Sequence, residues 1–392
     1  MNFTSPTEVL PDLVRSTVAE TPADPHAFDA RPYSGGDPYA DYRATEHAFT
    51  SLVDLADRRL GGSVVAANDE FFAQRENLLK PEPAVFDPEA FGHKGKVMDG
   101  WETRRRRNTA EAPFPEDGAH DWALIRLGLP GVVRGVVVDT AHFRGNYPQQ
   151  ASVEAACVPG TPSPEELLQA EWTEIVPRSQ LRGHAANGFA VDDRRRWTHL
   201  RLKQYPDGGI ARLRVHGEVA ADPEWLAALG TFDLAALENG GAVEDASDRF
   251  YSPPENTILP GRSRKMDDGW ENRRRRVRES NDWVLYRLAG RADVRAIEID
   301  TAYLKGNAAG WVEVSFADAD KGDLSDPAVW TTVLPRTRLQ PDSPHRFLLT
   351  GAPAATHARI DVFPDGGYSR VRFHGSLTSA GLEALRARHA RL

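Results

Sequence analysis

Short runs of apolar and β-branched residues alternate with turn residues along most of the chain. The runs are WALIRLGL, VRGVVVDTA, ASVEAACV, WTEIVP, THLRLKQY and IARLRVHG in the first half, and WVLYRL, VRAIEID, WVEVSF, WTTVLP, HARIDVF and SRVRFHG in the second. Many short strands separated by turn signals are typical of a β-sandwich. Helical periodicity is confined to residues 163–172 and to the tail GLEALRARHARL. The pattern therefore predicts an all-β fold.

The tetrapeptide Pro-Asp-Gly-Gly occurs at residues 206–209 and again at 364–367, each time between two predicted strands. Proline fixes φ and glycine permits positive φ, so this sequence favours a tight turn. We predict that the strands on either side of each motif pair with one another as a β-hairpin.

The chain contains an internal duplication. The segments MDGWETRRRR, DWALIRL, GVVVDTAHFRGN and YPDGGIARLRVHG return in the same order as DDGWENRRRR, DWVLYRL, AIEIDTAYLKGN and FPDGGYSRVRFHG. A period of about 160–180 residues is too long for a solenoid, so each copy is a whole domain. We predict one domain over residues 49–220, a short helical linker over 221–232 and a second domain over 233–392. Residues 1–48, rich in Pro, Asp, Ala and Gly, are predicted to form an extended or disordered arm.

Composition narrows the functional classes. The 392 residues carry a net charge of −9, which argues against nucleic acid or an anionic membrane as the main partner. No apolar run approaches the roughly 18 residues of a membrane span, and the N-terminus lacks the pattern of a signal peptide. The single cysteine, Cys157, cannot form an internal disulfide, and its position in a predicted strand suggests burial. We expect a soluble cytoplasmic protein.

The strand after the first Pro-Asp-Gly-Gly motif alternates strictly. Arg212, Arg214 and His216 share one face, and Leu213 and Val215 share the other. Three cationic or titratable groups on one face suit recognition of a small carboxylate. A solvated sheet face, an interface or a shared structural ion pair remain alternatives. The second copy repeats the face with Arg370, Arg372 and His374.

The segment GWETRRRR joins an aromatic residue, a carboxylate and four arginines. If it is a strand, Glu102, Arg104 and Arg106 share a face, and the arginines should lower the pKa of Glu102. A carboxylate of this kind is suited to act as a general base. An Arg/Glu ladder on a sheet face is the alternative. Glu271 is the counterpart in the second copy.

The segment DTAHFRGN places polar residues where a predicted strand ends in a Gly-Asn loop, which is where a sandwich carries ligand-binding residues. Asp139 and Asn146 have counterparts in Asp300 and Asn307. His142 has none, since the second copy has a tyrosine there. We found no motif with metal-ligand spacing and no nucleotide-binding or nucleophile motif, so we expect neither metal nor cofactor.

These blocks resemble the allantoicase family over residues 49–392, including the duplication and the sequences LADRRLGGSVVAANDEFFAQRENLLKP, KVMDGWETRRRR and YPDGGIARLRVHGEV. The resemblance implies two tandem galactose-binding-like jelly-roll β-sandwich domains. It also implies hydrolysis of allantoate to ureidoglycolate and urea in purine catabolism. Because many jelly-roll modules only bind ligands, a non-catalytic ligand-binding protein and another ureide-processing enzyme are alternatives.

A working site follows from the residues and the implied substrate. Hydrolysis of allantoate needs a cation to bind the substrate carboxylate, a general acid to protonate the departing urea nitrogen and a general base to activate water. Our hypothesis assigns Arg212 or Arg214 to the carboxylate, His216 to the acid, and Glu102 or Asp139 to the base. The other predicted substrate contacts are Trp101, Arg104, His142 and Asn146. Sheet edges and the repeat also favour a homo-oligomer.

Overall fold

The computed structural model describes Arg31–Pro32 and residues 48–392. Most of the predicted N-terminal arm therefore lies outside the described residues. Within it, Arg31–Pro32 forms a short strand, β1, which pairs antiparallel with Ala185–Ala190.

The first repeat is made of short antiparallel strands around one long strand. In chain order they are β1, β2 (Val53–Asp54), β3 (Ser63–Ala67), β4 (Phe91–Gly92), β5 (Gly95–Lys96), β6 (Trp101–Glu102), β7 (Asp121–Asp139), β8 (Gln150–Ala156), β9 (Thr173–Gln180), β10 (Ala185–Ala190), β11 (Arg196–Tyr205), β12 (Gly209–Ile210) and β13 (Arg212–Val219).

The second repeat follows the same plan. Its strands are β14 (Phe232–Asp233), β15 (Ala242–Ala246), β16 (Asp282–Asp300), β17 (Trp311–Ala317), β18 (Thr331–Arg338), β19 (Pro344–Leu348), β20 (Ala355–Phe363) and β21 (Arg370–Leu377). Its architecture confirms the prediction of an all-β chain with two tandem jelly-roll sandwiches.

Helices are few and short, as the pattern predicted. The α-helices are α1 (Pro164–Leu168), α2 (Pro223–Leu229) and α3 (Ser379–His389). Single 3-10 turns occur at Ala48–Ser51, Arg58–Leu60, Arg75–Leu79, Leu237–Asn239, Pro254–Ile258, Met266–Asp268 and Pro327–Val329.

One 19-residue strand organises each repeat. The first part of β7 pairs with β3 and β11, and its last part pairs with β10 and β13. In the second repeat, β16 pairs in the same way with β15 and β20, and then with β19 and β21. The sequence predicted two separate strands here. The structure joins them into one strand that serves both layers of the sandwich.

The hairpin predicted at each Pro-Asp-Gly-Gly motif is wrong. Strands β11 and β13 flank the first motif but pair with different parts of β7 instead of with each other. The motif instead carries the chain from one layer to the other and leads into β12, which pairs with β6. The second motif connects β20 and β21 in the same way.

Most buried apolar residues of both repeats form one continuous core, and a second, smaller cluster that includes Phe143 lies in the first repeat. The continuous core includes Leu200, Val215 and Trp101 in the first repeat, and it continues through Leu226 of α2 into the second. Burial of apolar surface is therefore shared across the junction, which favours a fixed contact between the repeats.

Candidate active site

The strand face that carries Arg212, Arg214 and His216 is buried, and its predicted role in substrate recognition stays a prediction. Arg212 is only 1% exposed. A guanidinium has five N–H donors. Those of Arg212 bond to the carbonyl oxygens of Glu82, Pro83, Asp99 and Ala211 and to the Asp99 carboxylate. No donor is left for a substrate.

Arg370 makes the same cross-link in the second repeat. It donates to the carbonyl oxygens of Gly261, Asp268 and Ser369 and to the Asp268 carboxylate, 3.2 Å away. Because both repeats retain the arrangement, these matched arginines hold the loop before the Asp-Gly-Trp sequence onto the sheet. A shared structural ion pair explains their duplication.

Arg214 and His216 belong to a buried cluster with Asp54, which the sequence analysis did not single out. Arg214 Nη1 lies 3.7 Å from the Asp54 carboxylate, and His216 Nδ1 lies 2.8 Å from the carbonyl oxygen of Leu52. Burial raises the pKa of Asp54, although the charges of Arg214 and His216 lower it. The ring of His216 packs near Phe49, so it is shielded from a substrate.

The second repeat has the matching cluster of Asp233, Arg372 and His374. Arg372 Nη1 lies 3.3 Å from the Asp233 carboxylate, whose pKa burial raises. A signal for the two aspartates was present in the sequence. Each directly precedes a repeated Leu-Ala pair, at the same spacing that relates the two copies of that pair.

Three further predicted site residues are buried. The Trp101 side chain is 0% exposed, and its indole N–H donates to the carbonyl oxygen of Asp69, so it presents no surface to a ligand. Asp139 accepts a hydrogen bond from the backbone N–H of Ala141, and Asp300 accepts one from Ala302. Both aspartates lie at the buried ends of long strands. The role of Asp139 as a base therefore stays a prediction.

Glu102 and Asn146, two of the predicted site residues, lie in contact with each other. Asn146 Nδ2 donates to Glu102 Oε1 at 2.8 Å. Their loops are fixed by backbone hydrogen bonds, since Gly209 N–H donates to the carbonyl oxygen of Asn146 and Glu102 N–H donates to that of Ala73. Glu102 is half-buried, so its second carboxylate oxygen is available to a ligand.

The pKa of Glu102 departs from the expectation. Burial raises it, outweighing the hydrogen bond from Asn146 and the charge of Arg105, which both lower it. The predicted arginine ladder does not form because the strand ends at Glu102. A raised pKa favours a proton donor over the general base that the sequence suggested.

Close backbone packing explains the glycines of the first Pro-Asp-Gly-Gly motif. A side chain at Gly208, which has φ of 146°, would lie 2.6 Å from the backbone nitrogen of Pro148. One at Gly209 would overlap the ring of Phe143. The motif therefore presses directly on the loop that carries Asn146 and sets the position of its amide.

The second repeat does not reproduce this pair. The Asn307 amide donates to Met266 Sδ at 3.4 Å instead of to Glu271. The backbone N–H of Glu271 donates to Ser252 Oγ. The two repeats thus share their framework but differ in the carboxylate–amide contact.

The four arginines after Glu102 have different environments. Arg104 Nε lies 2.6 Å from the Asp69 carboxylate, and Arg106 lies 2.5 Å from that of Asp121. Arg107 donates to a neighbouring carbonyl oxygen. Among the described residues, the exposed side chain of Arg105 has no hydrogen-bond or ion-pair partner. Its positive charge acts on Glu102, so it is a cation available to a ligand beside that carboxyl group.

His142 lies under a segment that the second repeat lacks. Twenty residues separate Asn77 from Met98, whereas ten separate the matching Asn256 and Asp267. The extra chain contacts His142, whose ring stacks on Phe86 with 5.5 Å between centroids and whose Nε2 lies 3.1 Å from the carbonyl oxygen of Ala84. Burial lowers the pKa of His142.

The expectation of a buried cysteine is also wrong. Cys157 follows the last residue of β8 and is exposed. Within the part of the chain that the structure describes, no group of three or more His, Cys, Asp or Glu residues is arranged to hold a metal ion. No helix among the same residues is long and apolar enough to cross a membrane.

Comparison with known proteins places this geometry in a family. The family model of the allantoicase repeat matches residues 53–220 and 232–378. The chain belongs to the allantoicase family. Family members include a probable allantoicase of Streptomyces coelicolor, 69% identical over 93% of this chain and 96% of its own length. An allantoicase of Dictyostelium discoideum is 40% identical over 84% of this chain and 88% of its own length.

Solved structures of the family share the fold. The crystal structure of allantoicase from Saccharomyces cerevisiae superposes with a TM-score of 0.67 at 30% identity, covering 83% of this chain and 93% of that one. Both repeats of the present chain lie within the family match, so the duplication is a property of the family fold.

Proposed function

We propose that this protein hydrolyses allantoate to ureidoglycolate and urea, with Glu102 of the first repeat transferring the proton. The match of both repeats to the allantoicase repeat supports the reaction. The half-buried carboxyl group of Glu102, held by the Asn146 amide, supports the site.

The reaction breaks the bond between the central carbon of allantoate and one ureido nitrogen, and forms a bond from that carbon to a water oxygen. Protonated Glu102 gives its proton to the departing nitrogen. The resulting carboxylate recovers a proton from the water that adds to the same carbon, so one group serves both steps. A pKa raised by burial keeps the required protonated form available at higher pH than in an exposed glutamate.

Arg105 is the proposed partner of the substrate carboxylate. Arg212 has used all five of its donors, while Arg104 and Arg106 are paired with aspartates. Arg105 is exposed, and its positive charge acts on Glu102. A guanidinium can hold a carboxylate through two parallel hydrogen bonds, which would fix the central carbon relative to Glu102.

The first repeat is the proposed catalytic copy. It holds the Glu102–Asn146 pair and the extra segment over His142, while Asn307 of the second repeat turns to Met266. The second repeat then contributes the shared core.

The proposal extends to a cytoplasmic homo-oligomer. The single free cysteine suits a reducing compartment. Exposed aromatic side chains at Phe86 and Phe91 of the extra segment offer apolar surface to a second copy. Light scattering of the purified protein measures its mass; a monomer at micromolar concentration would contradict this part.

A direct assay tests the reaction. Purified protein supplied with allantoate should release one urea for each ureidoglycolate formed, and a chelator-treated sample run in parallel reports any contribution from a bound metal. Saturable binding of allantoate with no urea release, by folded protein supplied with divalent metal, would instead support a ligand-binding module.

A further inference from the structure

A cavity of about 390 Å³ lies between the two repeats, and neither Glu102 nor Asn146 lines it. Its walls come from β7 and β13 of the first repeat, the turn before β15 of the second, and the end of α3. Five arginines line it: Arg134, Arg194, Arg287, Arg388 and Arg391. Two glutamates, Glu218 and Glu255, complete its charged lining.

Two of the five arginines have carboxylate partners. Arg134 Nε lies 2.8 Å from Glu218, and Arg287 Nε lies 3.3 Å from Glu244. The other acidic side chain of the wall, Glu255, is paired with an arginine outside the cavity. The acidic side chains of the wall are therefore engaged.

The remaining three arginines are not paired. Over Arg31–Pro32 and residues 48–392, no hydrogen bond or ion pair engages the side chains of Arg194, Arg388 and Arg391. Burial and the nearby charge of Arg287 lower the pKa of Arg388, while the charge of Glu218 raises it. The side chains of Arg194, Arg388 and Arg391 are all exposed, so an anion that enters the cavity can reach their N–H donors.

We propose that this cavity binds a small oxyanion with two negative charges, of the dicarboxylate or phosphate class. The planar fork of arginine matches both groups, and the lining carries five arginines against two glutamates. The volume is at the lower end of the roughly 300–1,000 Å³ typical of small-molecule sites. Because Arg194 comes from the first repeat and Arg388 from α3 at the end of the second, the anion bridges the two repeats.

Calorimetric titration of the full chain with oxalate or inorganic phosphate tests the proposal. Ionic strength is held constant with sodium chloride. We expect saturable binding of one anion per chain, and about tenfold or greater weakening in the double variant Arg388→Gln/Arg391→Gln, since each lost cation removes a charge-assisted hydrogen bond. Arg195→Gln is the control, because Arg195 adjoins Arg194 but is paired with Asp193 and does not line the cavity.

Each outcome bears on the cavity separately from catalysis. Preference for oxalate identifies a dicarboxylate site and preference for phosphate a phosphate site, and either supports the proposal. Binding that survives in Glu102→Gln but not in the double arginine variant also supports it. The proposal would be overturned if titration with oxalate and phosphate gave the same heats as titration with chloride. Unchanged affinity in the folded double variant, or loss of binding in Glu102→Gln, would also overturn it.

Discussion

Arg105 and Arg274 occupy matched positions in the two repeats, each between two arginines that are tied to aspartates. In the first repeat the nearby Glu102 accepts a hydrogen bond from the Asn146 amide, whereas in the second repeat the Asn307 amide donates to Met266. The two arginines therefore provide a matched comparison within one molecule.

Replacing Arg105 with alanine should raise KM for allantoate by about tenfold or more and change kcat less, because one charge-assisted contact to the substrate carboxylate is lost. Arg274→Ala should leave both constants near wild type. Steady-state urea release measures this. Equal effects of the two substitutions would remove Arg105 from the proposed site.

The pH dependence of the reaction should report on Glu102. Its pKa is raised by burial and lowered by the Asn146 hydrogen bond. The protonated form is needed, so kcat/KM should fall as pH rises through this pKa. Asn146→Ala removes a bond that favours the charged form, so the falling limb should move to higher pH. A limb that stays in place, or moves to lower pH, would contradict the assignment.

At the residue scale, the sequence singled out Glu102 and Asn146, which lie in contact, together with Arg212 and His216, which are buried. Alternation correctly placed Arg212 and His216 on one face of their strand, yet it could not show that the chain segments at 80–83 and 48–52 cover that face. The raised pKa of Glu102 could not be predicted from the sequence either, because burial is its main cause and depends on packing between distant loops.

At the element scale, Arg212 joins the strand β13 to the loop before Trp101. Four of its five bonds tie together segments more than a hundred residues apart. Arg370 does the same in the second repeat. These contacts account for the retention of both arginines without any contact with substrate.

Arg212→Met should lower the free energy of unfolding by about 3 kcal/mol, because it leaves buried carbonyl oxygens and part of the Asp99 charge unpaired. Guanidinium chloride denaturation measures the loss. Arg58→Met, at an exposed pair with Glu76, is the control and should cost less than about 1 kcal/mol. A stable Arg212→Met protein with a greatly increased KM would restore Arg212 as a substrate contact.

The apolar pattern of the sequence predicted where the strands lie, but it did not predict which strands pair with each other. The two halves of β7 appeared as separate strands since Gly128 and Pro130 interrupt the run. Likewise, the Pro-Asp-Gly-Gly motif has the composition of a hairpin turn, and only the pairing of its flanking strands with β7 shows that it passes between layers.

At the scale of the whole molecule, the two repeats share one fold but differ in the side chains at the candidate site. The shared core and the matched arginine cross-links preserve the fold in both repeats. The extra segment at 78–97 and the Glu102–Asn146 contact distinguish the first. The domain limits predicted from the sequence, with a linker at 221–232, remain predictions that limited proteolysis would test.

The most direct test of the central claim compares Glu102→Gln with Glu271→Gln in urea release from allantoate. We predict that Glu102→Gln lowers kcat by about 10²–10⁴-fold, because the proton donor is lost, while the folded protein keeps its stability. Glu271→Gln should retain turnover close to wild type. Unchanged turnover in Glu102→Gln, or an equal loss in both variants, would contradict a single catalytic site in the first repeat.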